Sequence, residues 1–134
     1  MNVLEEGAEL DLEYDKLRKV GASEQPVVPV VLQNADSGEV LFVGYANREA
    51  LRETLATRQA VLWSTSRGEL WRKGATSGDV LDLVDVRINC EQNSLLYRVV
   101  PRRGGVCHTR GADGRARRTC YYRRVVSESD LEFL

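Results

Sequence analysis

Six short apolar runs, each closed by turn-forming residues, constrain this chain more than any other feature. They are PVVPVVLQ (26–33), EVLFVGY (39–45), AVLWSTS (60–66), VLDLVDVRI (80–88), SLLYRVV (94–100) and TCYYRRVV (119–126). Runs of this length, rich in β-branched and aromatic residues, fit the pleated and half-buried surface of a strand. NADSG (34–38) supplies a turn that makes the first two a hairpin, and NCEQN (89–93) joins the fourth to the fifth. Pro26 and Pro29 limit how the first strand can pair, because proline donates nothing to a ladder. A single stretch, REALRETLATRQ, has helical character: Asn47 is a good N-cap, and Leu51 and Leu55 share a face with Ala50 and Thr54 beside them. RGELWRKGATSGD (67–79) is expected to be a long polar connection carrying three glycines. The expected fold is α+β: a mostly antiparallel sheet with one principal helix.

A chain of 134 residues is long enough for one core, so residues 1–134 are expected to form a single domain. Residues 1–24 lack clear periodicity and are expected to be a loosely attached acidic arm with one helical turn. No apolar run approaches a membrane span, and the acidic beginning is the opposite of a signal peptide's basic start. The expected compartment is the cytoplasm. An odd cysteine count agrees, since a reducing compartment favours thiolates that bind metals or do chemistry over a disulfide framework.

The net charge of −1 conceals an asymmetry. Residues 1–24 carry seven acidic and three basic side chains, whereas residues 98–124 carry nine arginines against Asp113 alone. Such a cluster either attracts phosphate, on a nucleotide or a nucleic acid, or is simply a solvated face.

CHTRGADGRARRTC (107–120) holds two of the three cysteines and the only histidine. Thiolates of Cys90, Cys107 and Cys120 meeting at Zn²⁺ would leave a fourth position open, the arrangement of a catalytic site. Their spacing matches no zinc-finger rule, so small buried hydrophobes, or a disulfide between Cys107 and Cys120, stay open beside it. His108 is a fourth ligand, a proton carrier beside the metal, or simply an exposed loop histidine. In the segment 64–78, Ser64, Ser66, Arg67, Arg72, Lys73, Thr76 and Ser77 combine hydroxyls and cations with glycine turns. That composition can hold a phosphate. Trp71, like Trp63, is either a stacking surface for a base or part of the core.

LWSTSRGELWRKGATSGDV, VRINCEQNSLLYRV, GGVCHT and TCYYRRV, in this order, resemble the phosphoribosyl-AMP cyclohydrolase family of histidine biosynthesis. VVPVVLQNADSGEVLFVGYANREAL fits the family's opening as well. The resemblance spans residues 10 to 126. It implies a zinc-dependent homodimer that hydrolyses the N1–C6 bond of an N1-phosphoribosylated adenine ring. It implies that Cys90 of one subunit shares a zinc ion with Cys107 and Cys120 of the other. By the same resemblance His108 is the acid–base group and a phosphorylated nucleotide is the substrate, for which the hydroxyls and cations from Ser64 to Ser77 are the expected phosphate-binding groups.

The departures from the family are equally specific. The family's Asp-Cys-Asp-x-Asp run, whose carboxylates bind Mg²⁺, is here Asn89-Cys90-Glu91-Gln92-Asn93. Mg²⁺ relies on anionic oxygens, so these positions are expected to hold it poorly. Ala75 replaces a glutamate often found in the family, Asp79 stands where histidine is frequent, and the loop from Cys107 to Cys120 is longer. A related substrate is therefore an alternative to phosphoribosyl-AMP. A second class also stands: a non-catalytic zinc protein whose arginine loop binds nucleic acid or a regulatory nucleotide, though the aromatic-and-basic face of single-strand binders is missing. No membrane partner is expected.

Overall fold

The computed structural model of the chain describes residues 2–134. The chain divides into two compact units, one running from Pro26 to Cys120 and the other joining the residues up to Gln25 with Tyr121–Leu134. The α+β expectation holds, with the sheets mostly antiparallel and the helices few.

In the larger unit, β1 (Val28–Asn34) and β2 (Val40–Ala46) form the hairpin expected from NADSG. Asn34 Oδ1 holds the turn by accepting from the backbone N–H of Asp36 at 2.9 Å and of Ser37 at 3.2 Å. β5 (Leu81–Ile88) and β6 (Leu95–Pro101) make a second antiparallel pair, and β6 joins β1 in parallel, giving the order β2-β1-β6-β5. Alternation places Val30, Leu32, Leu81, Tyr97 and Val99 on one buried face, and a register shift opposite Leu32 and Gln33 leaves Leu41 buried beside Phe42 in the same core. Full burial of each aliphatic side chain there is worth about 1.5–3 kcal/mol. β3 (Val61–Ser64) adds Val61 and Leu62 to the same core.

Helix α3 (Arg48–Thr57) is capped by Asn47, whose Oδ1 accepts from Ala50 N–H at 2.9 Å. It ends where Arg58 turns left-handed at φ 58°. Its buried face is Ala50 and Thr54, not the expected leucines: Leu51 is half-buried and Leu55 is exposed. Leu55 follows Thr54 by one residue, which swings it about 100° around the helix, away from the sheet. Small residues on the inner face let helix and sheet approach closely. Thr54 links them, its hydroxyl accepting from Val61 N–H at 3.0 Å while lying 2.8 Å from Ala50 O.

Two strand expectations need correction. The connection 67–79 contains a strand, β4 (Glu69–Arg72), paired with β3 through Leu62↔Trp71 and Trp63↔Leu70. It fits between Gly68 and Gly74, both at positive φ, and only Leu70 and Trp71 carry its apolar signal. The last run is strand only over β7 (Arg123–Val125), since Cys120 still bonds to β2 through its backbone.

In the smaller unit, α1 (Val3–Glu6) and α2 (Lys16–Ala22) replace the single expected turn, and β7 pairs with β8 (Leu131–Phe133). Leu10 N–H donates to Ser129 O at 2.8 Å and Leu131 N–H to Ala8 O at 2.7 Å, so the first residues follow the final hairpin. Tyr122 stacks on Phe133 at 6.0 Å and donates through its hydroxyl to Glu5 O at 2.7 Å. Among the described residues no helix is long and apolar enough to cross a membrane.

Candidate active site

The chain leaves β6 at Pro101, turns through Gly104 and Gly105, and reaches Cys107. Gly105 is required by crowding: a Cβ there would lie 2.6 Å from Ala116 O. That approach lets Val106 N–H and Cys107 N–H both donate to Arg117 O, at 2.9 and 3.0 Å. The far end of the loop is fastened to β2. Arg118 donates twice to the Glu39 carboxylate, at 2.7 and 3.3 Å, Thr119 Oγ1 donates to Val40 O at 2.8 Å, and Cys120 N–H donates to Leu41 O at 2.8 Å.

These bonds bring Cys107 close enough to Cys120 for the two thiols to influence one another, with all three cysteines free. Cys107 is buried, its Sγ 3.0 Å from Thr109 Oγ1. Cys120 is exposed as a residue, yet its sulfur is turned inward. Burial first, then the neighbouring Cys107, pushes that thiol up to about 12. Lys73, the residue after β4, closes the corner. It is 9% exposed, and burial lowers its pKa while Asp79, Cys120 and Cys107 oppose that shift. His108 is exposed between buried Cys107 and buried Thr109.

Cys90 stands elsewhere, exposed in the β5–β6 turn. That turn is at the end of β6 opposite to Pro101, and seven strand residues at about 3.3 Å each separate the two ends. Among the described residues, no three His, Cys, Asp or Glu side chains are grouped to hold a metal. Asn89, Glu91 and Asn93 bond to one another instead. Asn89 Oδ1 accepts from Asn93 N–H and Ser94 N–H, both at 2.9 Å. Asn89 Nδ2 donates to Asn93 Oδ1 at 2.6 Å, and Asn93 Nδ2 to Glu91 Oε2 at 3.1 Å.

The segment 64–78 is divided in its placement. Ser64 Oγ lies 3.3 Å from Ser66 Oγ and accepts from Arg67 N–H, while Arg67 pairs with Glu69 at 3.4 Å. Arg72 pairs with Glu53 of α3 at 3.2 Å. Trp71 packs on the core against Phe42, with ring centroids 5.9 Å apart. Thr76 and Ser77 are exposed on the loop after Lys73, where Ser77 Oγ accepts from Asp79 N–H at 3.2 Å. Lys73 therefore faces the thiols, whereas the two serines and Arg67 sit at the β3–β4 turn. Sequence reading passed over Arg103, which donates to Ser77 O at 2.9 Å. Its only signal was membership of the arginine cluster.

That cluster is not one bare surface. Arg98 pairs with Asp85, Arg102 with Asp82, Arg118 with Glu39 and Arg124 with Glu132. The insert closes on itself: Gly111 N–H donates to Arg115 O at 2.9 Å, and Arg115 N–H to Asp113 Oδ1 at 3.0 Å.

Comparison with known proteins identifies the family. A family model described as PRA-CH, phosphoribosyl-AMP cyclohydrolase, matches residues 42–122, which include Cys90, Cys107, His108 and Cys120. The phosphoribosyl-AMP cyclohydrolase of Sphingopyxis alaskensis is 45% identical over 108 residues, 81% of this chain and 80% of that protein. That of Haloarcula marismortui is 40% identical over 121 residues, 90% of this chain and 88% of its own length. The histidine biosynthesis bifunctional protein HisIE of Thermus thermophilus is 46% identical over 119 residues, 88% of this chain, which spans only 52% of that longer protein. The chain belongs to the phosphoribosyl-AMP cyclohydrolase family of enzymes.

Proposed function

We propose that this chain is a phosphoribosyl-AMP cyclohydrolase of histidine biosynthesis, working as a zinc-dependent homodimer in the cytoplasm. The observation that carries the reading is the match to that family at 40–45% identity over four fifths or more of the chain. The matched region includes the neighbouring Cys107 and Cys120 and His108 beside Cys107. In the reaction water adds at C6 of the purine and the N1–C6 bond breaks. C6 keeps the incoming oxygen as a carboxamide, and N1 takes the proton as the formimino nitrogen.

The donor set fits zinc. Soft sulfur ligands suit it, and two are already adjacent. Cys107 and Cys120 of one subunit would hold the metal together with Cys90 of a second copy. Bound zinc supplies Lewis-acid activation of water near neutral pH. An apolar groove of about 720 Å³ beside the Cys90 turn, lined by Val28, Leu51, Ile88 and Leu95 among others, supports docking of that copy. Ile88 is 57% exposed there, the kind of apolar surface that marks an interface. His108 would carry the proton between the attacking water and N1, and its exposure beside Cys107 leaves it accessible to substrate.

The same turn does not fit Mg²⁺. Asn89 and Asn93 spend their oxygens on each other and on the backbone, leaving Glu91 as the one anionic oxygen donor. Activity is therefore proposed to need little added Mg²⁺.

The test is turnover of phosphoribosyl-AMP by zinc-loaded protein, with zinc content and melting temperature measured on the same sample. His108→Ala should lose ~10²–10⁴-fold in kcat with zinc and melting unchanged, the loss of a general acid–base group. A wild-type protein that binds zinc and leaves phosphoribosyl-AMP untouched would defeat the substrate assignment.

A further inference from the structure

We propose that Arg103, seated on Gly78, grips a phosphate monoester of the substrate above the loop 74–79. The inference rests on the phosphorylated-nucleotide reading of this site and adds the group that holds the phosphate. The cations first suited to that task are occupied. Arg67 and Arg72 are paired with Glu69 and Glu53, Arg102 is held by Asp82, and Arg118 by Glu39. Lys73 is buried against the thiols and Asp79.

Arg103 differs. Among the described residues it has no carboxylate partner, and the residue is exposed. Yet its guanidinium is not loose. Nη1 donates to Ser77 O at 2.9 Å, and the planar group lies against Gly78, where a Cβ would come within 2.6 Å of Nη1 and 2.9 Å of Cζ. Gly78 has φ +85°, so both its backbone and its missing side chain suit the seat. Of the five N–H donors of a guanidinium, one is used here. A pre-organised fork loses less freedom on binding an oxyanion than a mobile side chain does, and it matches phosphate geometry. The exposed Thr76 and Ser77 stand on the same loop. Arg103 also precedes Cys107 by four residues, so phosphate grip and thiol corner share one segment.

A residue that merely fastened the loop would behave differently from one that grips phosphate, and two measurements on the full chain separate them. The first compares the affinity of ribose 5-phosphate with that of ribose for wild type, Arg103→Ala and Arg103→Lys. The second is KM and kcat for phosphoribosyl-AMP on the same proteins. Wild type should prefer the phosphorylated sugar. R103A should lose that preference by about tenfold or more, with a matching rise in KM, as expected for losing hydrogen bonds to a charged group. Its kcat and melting temperature should stay near wild type, and R103K should recover part of the affinity. Unchanged preference and KM in R103A would overturn the grip, as would a wild type that binds ribose and ribose 5-phosphate alike. A fall in kcat or melting temperature with the preference intact would make Arg103 a clamp only. If wild type ignores phosphoribosyl-AMP, the proposed function fails, and the ribose 5-phosphate comparison still decides the role of Arg103.

Discussion

Cys90 and Cys107 flank the same strand, β6, yet their surroundings are built by opposite means. The Cys107 end is assembled from distant parts of the sequence: Lys73 just after β4, Leu41 of β2 with Glu39 just before it, and Thr119 with Cys120 from beyond the insert. The Cys90 end is assembled locally, by Asn89, Glu91 and Asn93, which bond to one another and to Ser94. One thiol is buried among partners and the other faces outward. Long-range packing makes a corner that is complete before anything binds. A self-satisfied turn can only present its thiol to something that arrives.

The largest expected effects break that comparison directly. Cys107→Ser and Cys90→Ser should each lose zinc and reduce turnover to background, because each removes one ligand of the proposed set. They should part company once the metal is stripped. Metal-free C90S should melt with metal-free wild type, since Cys90 is exposed, whereas metal-free C107S should melt a few degrees lower because its contacts are buried. C90S that keeps full zinc and remains dimeric would show that the two ends do not share a metal.

A smaller effect concerns the turn itself. Asn89→Asp with Asn93→Asp keeps an acceptor at both positions but places three carboxylates together with Glu91. Without Mg²⁺ this variant should be less stable than wild type, through like-charge repulsion and through loss of the Asn89 and Asn93 amide donors, by about 1 kcal/mol. Millimolar Mg²⁺ should then raise its melting temperature and leave wild type unmoved. An equal rise in wild type would show that the amide-bonded turn still takes the cation.

The same contrast explains what was legible in the sequence. The strands of the main sheet, the Asn47 cap and the 34–38 turn were readable because each depends on alternation or on a side chain bonding its near neighbours. The turn position of Cys90 was readable for that reason. Strand β4 was not, because four residues between two glycines show only Leu70 and Trp71 as apolar. The outward placement of Leu55 depends on the sheet preferring the small faces of Ala50 and Thr54, which periodicity alone does not register. At the site, the family resemblance named the cysteines and His108, but ion pairing decided which cations were occupied. Glu53 with Arg72 and Glu39 with Arg118 are separated widely in sequence, so no local pattern could show that Arg103, among the described residues, has no carboxylate partner.

The smallest expected effect lies midway along β6 and tests whether that strand separates the two ends as a rigid spacer. Tyr97 is fully buried, its hydroxyl 3.3 Å from Val61 O and 3.4 Å from Thr54 Oγ1. Burial raises its pKa above the ordinary 10.0, and the Thr54 hydrogen bond only partly offsets that. The folded chain therefore keeps the phenol proton at a pH where the unfolded chain has released it. Unfolded chains then bind fewer protons, so stability contributed by Tyr97 is fully present below 10.0 and declines as pH rises beyond it. Tyr97→Phe should start lower at neutral pH, by about 0.5–1.5 kcal/mol for the lost hydrogen bonding, and then decline less steeply. Denaturant unfolding from about pH 8 to 11 measures both slopes. The difference between Tyr and Phe should be the same in the C107S and N89D/N93D backgrounds, because sites that share no partner contribute additively. Equal slopes for Tyr97 and Phe in wild type would remove the buried phenol as the cause. A slope that changes with either background would show that the ends communicate through β6, and the contrast between a prebuilt corner and an independent turn would have to be withdrawn.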